Sequence, residues 1–510
     1  MSGQKHLLKP RRLGVDTHQE LVVYMRDDCH VCRSEGFNAH SRIQVNLSER
    51  SVLATLNVIH GDWLASNEFG LSESAWHALN PRDGERADFA HAPTVDSMSA
   101  VRAKIYGNPL RDTQFDAIIS DVCKGLYTDV ELATFLTTCA SHGLDEKEIA
   151  GLTRAMINAG EHLDWHREMI VDKHCVGGLP GNRTTPLVVA MVAAEGLVMP
   201  KTSSRAITSP AGTADTMETL APVALSIADM QRVVEQEGGC IAWGGAMSLS
   251  PADDILIRIE RAIDLDSEGQ LVASVLSKKA AAGATHVVID LPVGPTAKVR
   301  SETDARRLAA LLCDTGEAIG LAVRAVITDG LQPVGRGIGP ALEARDVLAV
   351  LQNKNGAPAD LRARSIHLAG AIFELSGLAA EGAGTVLAET SLSSGRAWRK
   401  FQAICEAQGG MRTPPLATQT QPVPAPREGI VTAIDNRVLA RIAKLSGAPA
   451  APASGLDLHV RLGDRVERGQ PLFTLHTETT GELAYALEYL DTHANVIRIA
   501  GEPEGDSPSQ

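Results

Sequence analysis

The chain has 510 residues, and at roughly 100 to 200 residues per domain this length predicts three or four domains. Apolar residues make up 44% of the sequence and charged residues 22%, as is typical of soluble globular proteins. The net charge of −14 excludes a global positive field that would attract nucleic acid or anionic lipid, so an anionic ligand must bind in a local pocket. The apolar runs are too short to span a bilayer and no signal-peptide core follows the N-terminus, so we expect a cytoplasmic protein.

Residues 1–95 predict a small β-rich domain, because short β-prone runs are separated by polar turns. The runs are 21–25, 42–47 and 51–59. Eight cysteines are spread along the whole chain, which is typical of reduced thiols rather than a disulfide scaffold. The one close pair, Cys29 and Cys32, has only His40 as a further nearby metal ligand. We therefore favour a helical turn with two small apolar side chains over a metal or redox site.

Residues 96–167 predict a helical subdomain. An apolar stripe at helical spacing begins at Thr113, and a capping box from Thr128 to Glu131 begins a second helix. A third helix begins near Asp145 and ends at a glycine. We expect the helical stretch at about 253–283 to join this subdomain in space.

Residues 168–412 alternate short β runs with helical stretches, which indicates an α/β domain built from crossover units. The clearest β runs are 169–171, 197–199, 287–291 and 322–327. The proline-rich stretch 413–428 predicts a linker. Residues 429–500 predict a compact C-terminal domain, and 501–510 a disordered polar tail.

The densest chemical signal is a glycine-rich turn between a β run and an Ala/Val-rich helix. It reads Asp-Lys-His-Cys-Val-Gly-Gly-Leu-Pro-Gly-Asn-Arg-Thr-Thr over residues 172–185. Backbone N–H groups in such a turn can approach an anion, and the dipole of the following helix favours negative charge. Lys173 and His174 precede the glycines, so the turn matches neither a P-loop nor a dinucleotide fingerprint. We favour phosphate binding over a plain tight turn.

Two further clusters are rich in hydroxyl groups and charges. Residues 200–215 carry six hydroxyl groups with Lys201 and Arg205, and they repeat the layout of a β run, a polar loop and a helix. In a parallel sheet two such loops emerge at the same carboxyl edge, where ligands bind. The third cluster, from Ser250 to Lys279, lies on helices, for which a solvated charged face is the commoner interpretation.

These clusters resemble the signature of the thymidine and pyrimidine-nucleoside phosphorylase family, from about residue 98 to the end of the chain. The family's Asp-Lys-His-Ser-Thr-Gly-Gly stands here as Asp-Lys-His-Cys-Val-Gly-Gly, its Ser-Gly-Arg loop as Ser203-Ser204-Arg205, and its Ser-Lys-Lys helix as Ser277-Lys278-Lys279. The N-terminal domain, the Gly-Gly-Leu-Pro-Gly-Asn turn and the loop at 201–213 are similar to the long branch of the family. That branch contains bacterial thymidine phosphorylases and archaeal AMP phosphorylases.

The resemblance implies an α/β multidomain fold of the nucleoside phosphorylase and glycosyltransferase family 3 type. A small helical subdomain would pack beside an α/β subdomain with a central mixed sheet, and the active site would lie in the cleft between them. The β-rich N-terminal domain and a barrel-sandwich-like C-terminal domain would complete the chain. The segment 460–476 also resembles biotinyl and lipoyl modules but lacks their Met-Lys tip, so we expect it to be structural. The family implies a homodimer, which the N-terminal domain could extend to a larger homo-oligomer.

The resemblance also assigns roles to individual residues. Phosphate would contact Lys173, Gly177, Gly178, Thr185, Ser203 and Thr213. Base recognition and catalysis would fall on His174, Arg261, Lys278 and Ser274, with Asp266 as the proton donor of the AMP-type pattern. In that pattern the substrate would also contact Ser204, Arg205, Ala206, Ile207, Thr208, Ser209 and Lys298. Cys175 replaces the family's serine, which removes a hydroxyl donor.

The activity that the resemblance implies is that of a pentosyltransferase. As in thymidine phosphorylase, inorganic phosphate would split a pyrimidine nucleoside or deoxynucleoside into a sugar 1-phosphate and the free base, with no metal or organic cofactor. Phosphorolysis of a nucleoside 5′-monophosphate to ribose 1,5-bisphosphate stays open, since Lys201 and Arg205 could hold a 5′-phosphate. Remoter alternatives are a non-catalytic nucleotide-binding or assembly protein and a magnesium-dependent transferase that uses phosphoribosyl pyrophosphate.

Overall fold

The structure is a computed structural model that describes residues 7–17, 20–206, 209–247, 249–265 and 267–501. The chain forms two compact units. The first consists of the residues up to Tyr106 together with Ala117–Phe135, and the second of Gly107–Asp116 together with the residues from Leu136 onward. Across the described ranges, no helix is both long and apolar enough to cross a membrane.

The first unit is built around a six-stranded sheet with the strand order β1-β5-β2-β4-β3-β6. Its strands are β1 (Lys9–Arg12), β2 (Val22–Arg26), β3 (Arg42–Leu47), β4 (Arg50–Ile59), β5 (Glu68–Leu71) and β6 (Asp88–His91). Its helices are α1 (His30–Glu35), α2 (Glu73–Leu79) and α3 (Met98–Ile105). The alternation of β3 buries Ile43, Val45 and Leu47 in the core and turns Arg42 to the other face. The three expected β runs are therefore confirmed as strands.

Cys29 and Cys32 lie at the beginning of α1, where both are buried as free thiols. The Sγ atom of Cys32 lies 3.4 Å from the sulfur of Met25 in the core of the sheet. In the part of the chain that the structure describes, no three His, Cys, Asp or Glu side chains form a group that could hold a metal ion. Both cysteines lie in the apolar core of the first unit, where a hydrogen bond from Cys32 lowers the pKa of Cys29 to about 6.

Three helices follow, and local sequence explains where two of them begin. They are α4 (Asp112–Cys123), α5 (Asp129–His142) and α6 (Glu146–Asn158). At α5 the hydroxyl of Thr128 accepts the N–H of Glu131, and the carboxylate of Glu131 accepts the N–H of Thr128. Asp145 and Glu148 form the same reciprocal pair at α6. Such capping boxes satisfy backbone donors that the first turn leaves unpaired, so the predicted helix starts are confirmed.

The α/β subdomain alternates strands with helices, as the sequence predicts. Its elements are β7 (Val171–Cys175), α7 (Thr184–Ala194), β8 (Met199–Ser203), α8 (Thr213–Glu218), α9 (Ile227–Glu237), β9 (Gly239–Trp243), α10 (Pro251–Ile263), α11 (Glu268–Ala281), β10 (His286–Val293), α12 (Glu302–Ala318), β11 (Ala322–Asp329), β12 (Gly337–Ile338), α13 (Pro340–Leu351), α14 (Ala359–Leu375), α15 (Gly384–Ser393) and α16 (Arg396–Ala407). Strands β7, β10 and β11 pair in parallel, and so do β8 and β9, because helical crossovers separate them. The antiparallel pairing of this region is at β12.

Helix α11 packs against α6, where Gly269 lies against Leu144 and Ile149. An ideal Cβ built at Gly269 would lie 3.1 Å from the side chain of Leu144, so a larger residue would push the two helices apart. Helix α7 is buried from Thr184 to Ala193 in the core of the α/β subdomain. The residues before α7 are thereby held on a rigid element.

The C-terminal domain consists of two antiparallel sheets and two helices. Its elements are β13 (Gln419–Pro424), β14 (Gly429–Ile434), α17 (Asn436–Leu445), β15 (Gly455–Leu458), β16 (Arg465–Val466), β17 (Pro471–Thr477), α18 (Thr480–Thr492) and β18 (Ile497–Ala500). The sheets have the strand orders β12-β15-β17-β13 and β16-β14-β18. With it the fold class expected from the sequence is confirmed.

Part of the expected linker at 413–428 is strand β13, which pairs with β17 along the edge of its sheet. The prolines of this stretch argued against a strand in the sequence, because a proline has no N–H to donate to a neighbouring strand. Proline is tolerated mainly on edge strands. Pro422 lies opposite Thr474, and the register shifts before Pro424. The prediction of a linker over this whole stretch is therefore wrong at Gln419–Pro424. The expected disordered tail is 501–510, and all of it except Gly501 lies outside the described residues.

Candidate active site

Strand β7 carries a buried group of opposite charges, which we call the lysine–aspartate cluster (Asp172, Lys201 and Lys279). Lys201 Nζ lies 3.2 Å from Asp172 Oδ1, and Lys279 Nζ lies 2.8 Å from Asp172 Oδ2. All three side chains are at most 5% exposed. The cluster joins β7, β8 and α11.

The ionisation of this cluster is set by burial and by its own members. Burial opposes the charge of Asp172, yet the ammonium groups of Lys201 and Lys279 hold the pKa of its carboxyl below the ordinary value. Burial, together with the charge of Lys279, lowers the pKa of Lys201 to about 7 against the attraction of Asp172. Losing the carboxylate would leave two buried cations without a counter-ion.

His174 is half-buried at the carboxyl end of β7, on the same face of the strand as Asp172. Burial lowers its pKa well below the ordinary value, and the charges of the surrounding lysines lower it further. Those lysines are Lys279, Lys201, Lys173 and Lys278. The imidazole is therefore neutral at pH 7, and it can exchange hydrogen bonds with a ligand but does not act as a cation.

Lys173 is buried on the opposite face of β7, where its Nζ donates to Thr184 Oγ1 at 2.6 Å. Burial lowers the pKa of this ammonium group, whereas the charge of Asp290 favours it. On the same face, Asn182 donates from Nδ2 to Cys175 Sγ at 3.3 Å and to Asp290 Oδ2 at 3.2 Å. Burial raises the pKa of Cys175 to about 12, so this residue is a neutral thiol.

The turn after β7 has a backbone that only glycine or asparagine adopts readily. Gly177, Gly178, Gly181 and Asn182 have φ angles of 96°, 81°, 67° and 52°. An ideal Cβ at Gly178 would lie 2.4 Å from the backbone nitrogen of Lys298, so a side chain there would displace the loop after β10. The glycines therefore let the chain turn and bring Lys298 to the turn that the resemblance assigns to phosphate.

Arg183 connects the two glycine- and hydroxyl-rich loops. Its guanidinium donates to Glu343 Oε2 at 2.7 Å, to Thr213 Oγ1 at 2.8 Å and to the carbonyl oxygen of Ala211 at 2.9 Å. The hydroxyl of Thr213 accepts this bond and keeps its own proton for another acceptor. Burial raises the pKa of Glu343, while Arg183 favours its charge.

Ser203 ends β8 with a buried hydroxyl that has no hydrogen-bond partner among the described residues. An unsatisfied buried hydroxyl is costly, and a phosphate oxygen would supply the missing acceptor. Thr185, which the resemblance also assigns to phosphate, is buried in the first turn of α7. Ser203 lies at the carboxyl end of β8. Thr185 lies at the N-terminus of α7, where backbone N–H groups favour an anion.

Arg205 is already neutralised by two acidic residues. Its guanidinium lies 3.2 Å from Asp215 and 2.5 Å from Glu218, and it stacks over the Trp243 ring at 4.9 Å. Asp215 also accepts the N–H groups of Ala206 and Gly212, which ties the loop to the start of α8. The expected contacts Ser204 and Ser209 belong to this loop, whereas Ile207 and Thr208 lie outside the described residues.

Helices α10 and α11 supply the remaining candidates. Lys278 forms an ion pair with the buried Asp253, and Ser274 lies one turn before it on α11. Arg261 is exposed in the last turn of α10, and its charge disfavours that of Lys444 on α17. Asp266 lies outside the described residues. The structure thus places Lys278 among the charges around His174.

Sequence reasoning missed four residues that organise the site. Asp172, Lys279, Arg183 and Glu343 were not among the predicted contacts, although the first three stand inside the quoted motifs. The available signal for Asp172 was a charge on a strand that is otherwise buried. Glu343 is distant in the sequence, and nothing in its local pattern connects it to Arg183.

Three models of known families match the chain. Residues 98–160 match the helical bundle domain of a glycosyl transferase family, and 167–398 match the a/b domain of that family. Residues 430–496 match the pyrimidine nucleoside phosphorylase C-terminal domain. Together these matches cover most of the chain, including every residue of the candidate site.

The chain is also similar to curated proteins and to a solved structure. It is 63% identical to "Putative thymidine phosphorylase 2" of Acidovorax sp. (strain JS42), over 97% of this chain and 96% of that protein. It is 60% identical to "Putative thymidine phosphorylase" of Hahella chejuensis (strain KCTC 2396), over 96% of this chain and 97% of that protein. Anthranilate phosphoribosyltransferase from Thermus thermophilus superposes with a TM-score of 0.52 at 21% identity, over 61% of this chain and 99% of that one. This last likeness concerns the fold alone.

Proposed function

Since this chain belongs to the thymidine and pyrimidine-nucleoside phosphorylase family, we propose that it splits pyrimidine nucleosides, thymidine among them, with inorganic phosphate. The products are the pentose 1-phosphate and the free base. Membership makes the chain a pentosyltransferase of the nucleoside phosphorylase type. We further propose that the substrate is a pyrimidine compound, and a nucleoside rather than a nucleotide.

The charges at the two loops support the choice of a neutral nucleoside. A nucleoside 5′-monophosphate would need a free cationic site for its second phosphate. Lys201 is committed to Asp172, and Arg205 is committed to Asp215 and Glu218. These two side chains, which left the nucleotide open in the sequence, are thus both engaged by carboxylates of the protein itself. This observation carries the proposal.

The turn after β7 and the end of β8 suit the attacking phosphate. Lys173 provides a buried positive charge, Ser203 an unused hydroxyl, and Thr213 a hydroxyl proton. Held there, one phosphate oxygen attacks the anomeric carbon as the bond to the base nitrogen breaks. We expect an oxocarbenium-like transition state, whose positive charge the phosphate stabilises.

The leaving base takes the electron pair of the glycosidic bond and becomes more negative. The neutral imidazole of His174 can donate a hydrogen bond to it, and the half-exposed Lys278, which is paired with Asp253, lies among the charges around His174. The proton that the base finally acquires comes from water or from an acidic group, for which the family resemblance proposes Asp266. No step of this scheme requires a metal.

A base-release assay with inorganic phosphate tests the proposal. Thymidine, uridine, AMP and CMP are each incubated with the full-length protein and phosphate, and the free base is quantified. We expect phosphate-dependent release from thymidine or uridine. Release from AMP or CMP without release from the nucleosides would support nucleotide phosphorolysis instead, and nucleotide binding without any base release would support the non-catalytic alternative.

A further inference from the structure

A cavity lies within the first unit, formed by residues other than those of the candidate active site. It has a volume of about 740 Å³ and is lined by Arg42 of β3, by the segment from Ala92 to Arg102, and by the beginning of α5. This volume is within the range of small-molecule sites, which is roughly 300 to 1,000 Å³. None of the catalytic roles proposed above uses a residue of this cavity.

The guanidinium of Arg42 is incompletely paired. One terminal nitrogen donates to the carbonyl oxygen of Gly125 at 2.6 Å, but its Nε is buried and has no hydrogen-bond partner among the described residues. Burial lowers the pKa of Arg42, whereas the carboxylates of Glu20, Glu131 and Asp129 favour its charge. A buried guanidinium donor without an acceptor is costly, so an acceptor brought by a ligand would stabilise it.

The remaining lining groups indicate what kind of acceptor fits. Arg102 brings a second guanidinium to the cavity, and a pair of arginines matches a doubly charged phosphate group. Asp96 and Glu131 line the same cavity, and carboxylates accept hydrogen bonds from hydroxyl groups. A purely anionic ligand would be repelled by these carboxylates. A molecule with a phosphate at one end and hydroxyl donors at the other uses both sets of groups.

We propose that this cavity is a binding site for a sugar phosphate monoester, with the phosphate held between Arg42 and Arg102 and the sugar hydroxyls facing Asp96 and Glu131. The shared chemistry is that of a free pentose phosphate and of a nucleoside monophosphate. The site is separate from the catalytic role proposed for the second unit, so each can be tested without the other.

Isothermal titration calorimetry on the full-length Lys173→Ala variant tests this site, since that background weakens phosphate binding at the candidate active site. The probes are ribose 5-phosphate, AMP, inorganic phosphate, and malate as a hydroxylated carboxylate. We expect saturable binding of ribose 5-phosphate or AMP. Equal affinity for the two would indicate that only the sugar phosphate is contacted, and tighter binding of AMP would indicate contacts with the base as well.

Two arginine variants in the same background locate the site. Arg42→Met and Arg102→Met should each weaken ribose 5-phosphate binding about 10-fold or more, because each removes charge-assisted hydrogen bonds. Arg33→Met removes an exposed arginine of the same unit outside the cavity and should leave the affinity unchanged. Arg102 is itself exposed, so its variant keeps the test valid if Arg42→Met does not fold. Binding that is absent, equally tight for malate, or unchanged in Arg102→Met would overturn the proposal.

Discussion

The loop that follows β7 and the loop that follows β8 share a strand, polar loop and helix layout, yet they treat their cations in opposite ways. After β7, Lys173 is buried, and its Nζ donates to the hydroxyl of Thr184 rather than to a carboxylate. After β8, Arg205 is partly exposed, and its charge is neutralised by Asp215 and Glu218. A cation in a motif therefore attracts an anionic substrate only if the fold leaves it without an acidic partner.

The largest effect should come from removing the carboxylate that holds the lysine–aspartate cluster together. Asp172→Asn would leave Lys201 and Lys279 buried without a counter-ion, which should cost about 3–5 kcal/mol of unfolding free energy. Lys201→Met leaves the pair of Asp172 and Lys279 intact and should cost less. Denaturant unfolding of both variants measures this. Equal losses would show that the three residues do not act as one cluster.

Removing the buried cation of the first loop should abolish most of the activity. Lys173→Ala should lower kcat/KM for phosphorolysis about 100- to 1000-fold, because it removes a positive charge from the proposed phosphate site. The exposed Lys354 provides the matched control, and Lys354→Ala should keep the wild-type rate. Base release measured over a series of phosphate concentrations separates the two. A Lys173→Ala enzyme with a near-normal rate would refute the assignment of this loop.

Ser203 should separate ligand binding from stability. Ser203→Ala should raise the KM for phosphate about 10-fold without lowering the unfolding free energy, because its hydroxyl has no partner among the described residues. Ser226→Ala is the contrasting variant, since that hydroxyl caps α9 through Asp229 and its loss should cost about 1 kcal/mol of stability without affecting KM. Steady-state kinetics and thermal unfolding are both needed. A Ser203→Ala variant that loses stability but keeps its phosphate KM would contradict the expectation.

Removing one acidic partner of Arg205 should make its charge more available to a second phosphate group. Glu218→Gln removes one of its two acidic partners and should improve the rate with thymidine 5′-monophosphate relative to thymidine by roughly 3-fold, an effect typical of partly exposed ion pairs. Glu237→Gln breaks an ion pair with Lys400 in the same subdomain and serves as the control. If both variants show the same ratio of rates, Arg205 plays no part in excluding nucleotides.

The smallest expected effect is a change in the pH dependence of stability when His174 is replaced. Because its folded pKa lies below the ordinary value near 6.5, the unfolded chain binds a proton that the folded chain does not, and wild-type stability falls as pH drops through about 6.5. His174→Gln lacks this term, so its stability relative to wild type should rise between pH 7 and pH 5. Unfolding midpoints at the two pH values measure the difference. A constant difference would show that His174 is not held neutral.

Much of the fold could be predicted, because local patterns determine it. The capping box from Thr128 to Glu131 indicated the start of α5, and a β-prone run at 42–47 indicated strand β3. The glycine turn after β7 could also be recognised, since its positive φ angles require residues such as Gly177 and Gly178. Strand β13 could not be recognised, because only its position at a sheet edge makes its prolines acceptable.

The candidate site could be predicted only in part, because partners distant in the sequence decide the state of each charge. Lys201 and Arg205 looked alike in the sequence. In the structure Lys201 is buried beside Asp172, whereas Arg205 is partly exposed and paired with Glu218. Lys278 and Arg261 were predicted together, yet Lys278 pairs with the buried Asp253, whereas Arg261 is exposed in the last turn of α10. Pairings of this kind depend on which helix packs beside which strand, and no local pattern records that.

The comparison of thymidine with thymidine 5′-monophosphate tests the central claim most directly, because the two substrates differ only in the phosphate that Lys201 and Arg205 would have to bind. The measurement is kcat/KM for thymine release by the wild-type protein at saturating inorganic phosphate. With both cations paired to carboxylates within the protein, we predict that thymidine is preferred by about 10-fold or more. A preference for the monophosphate would contradict the account.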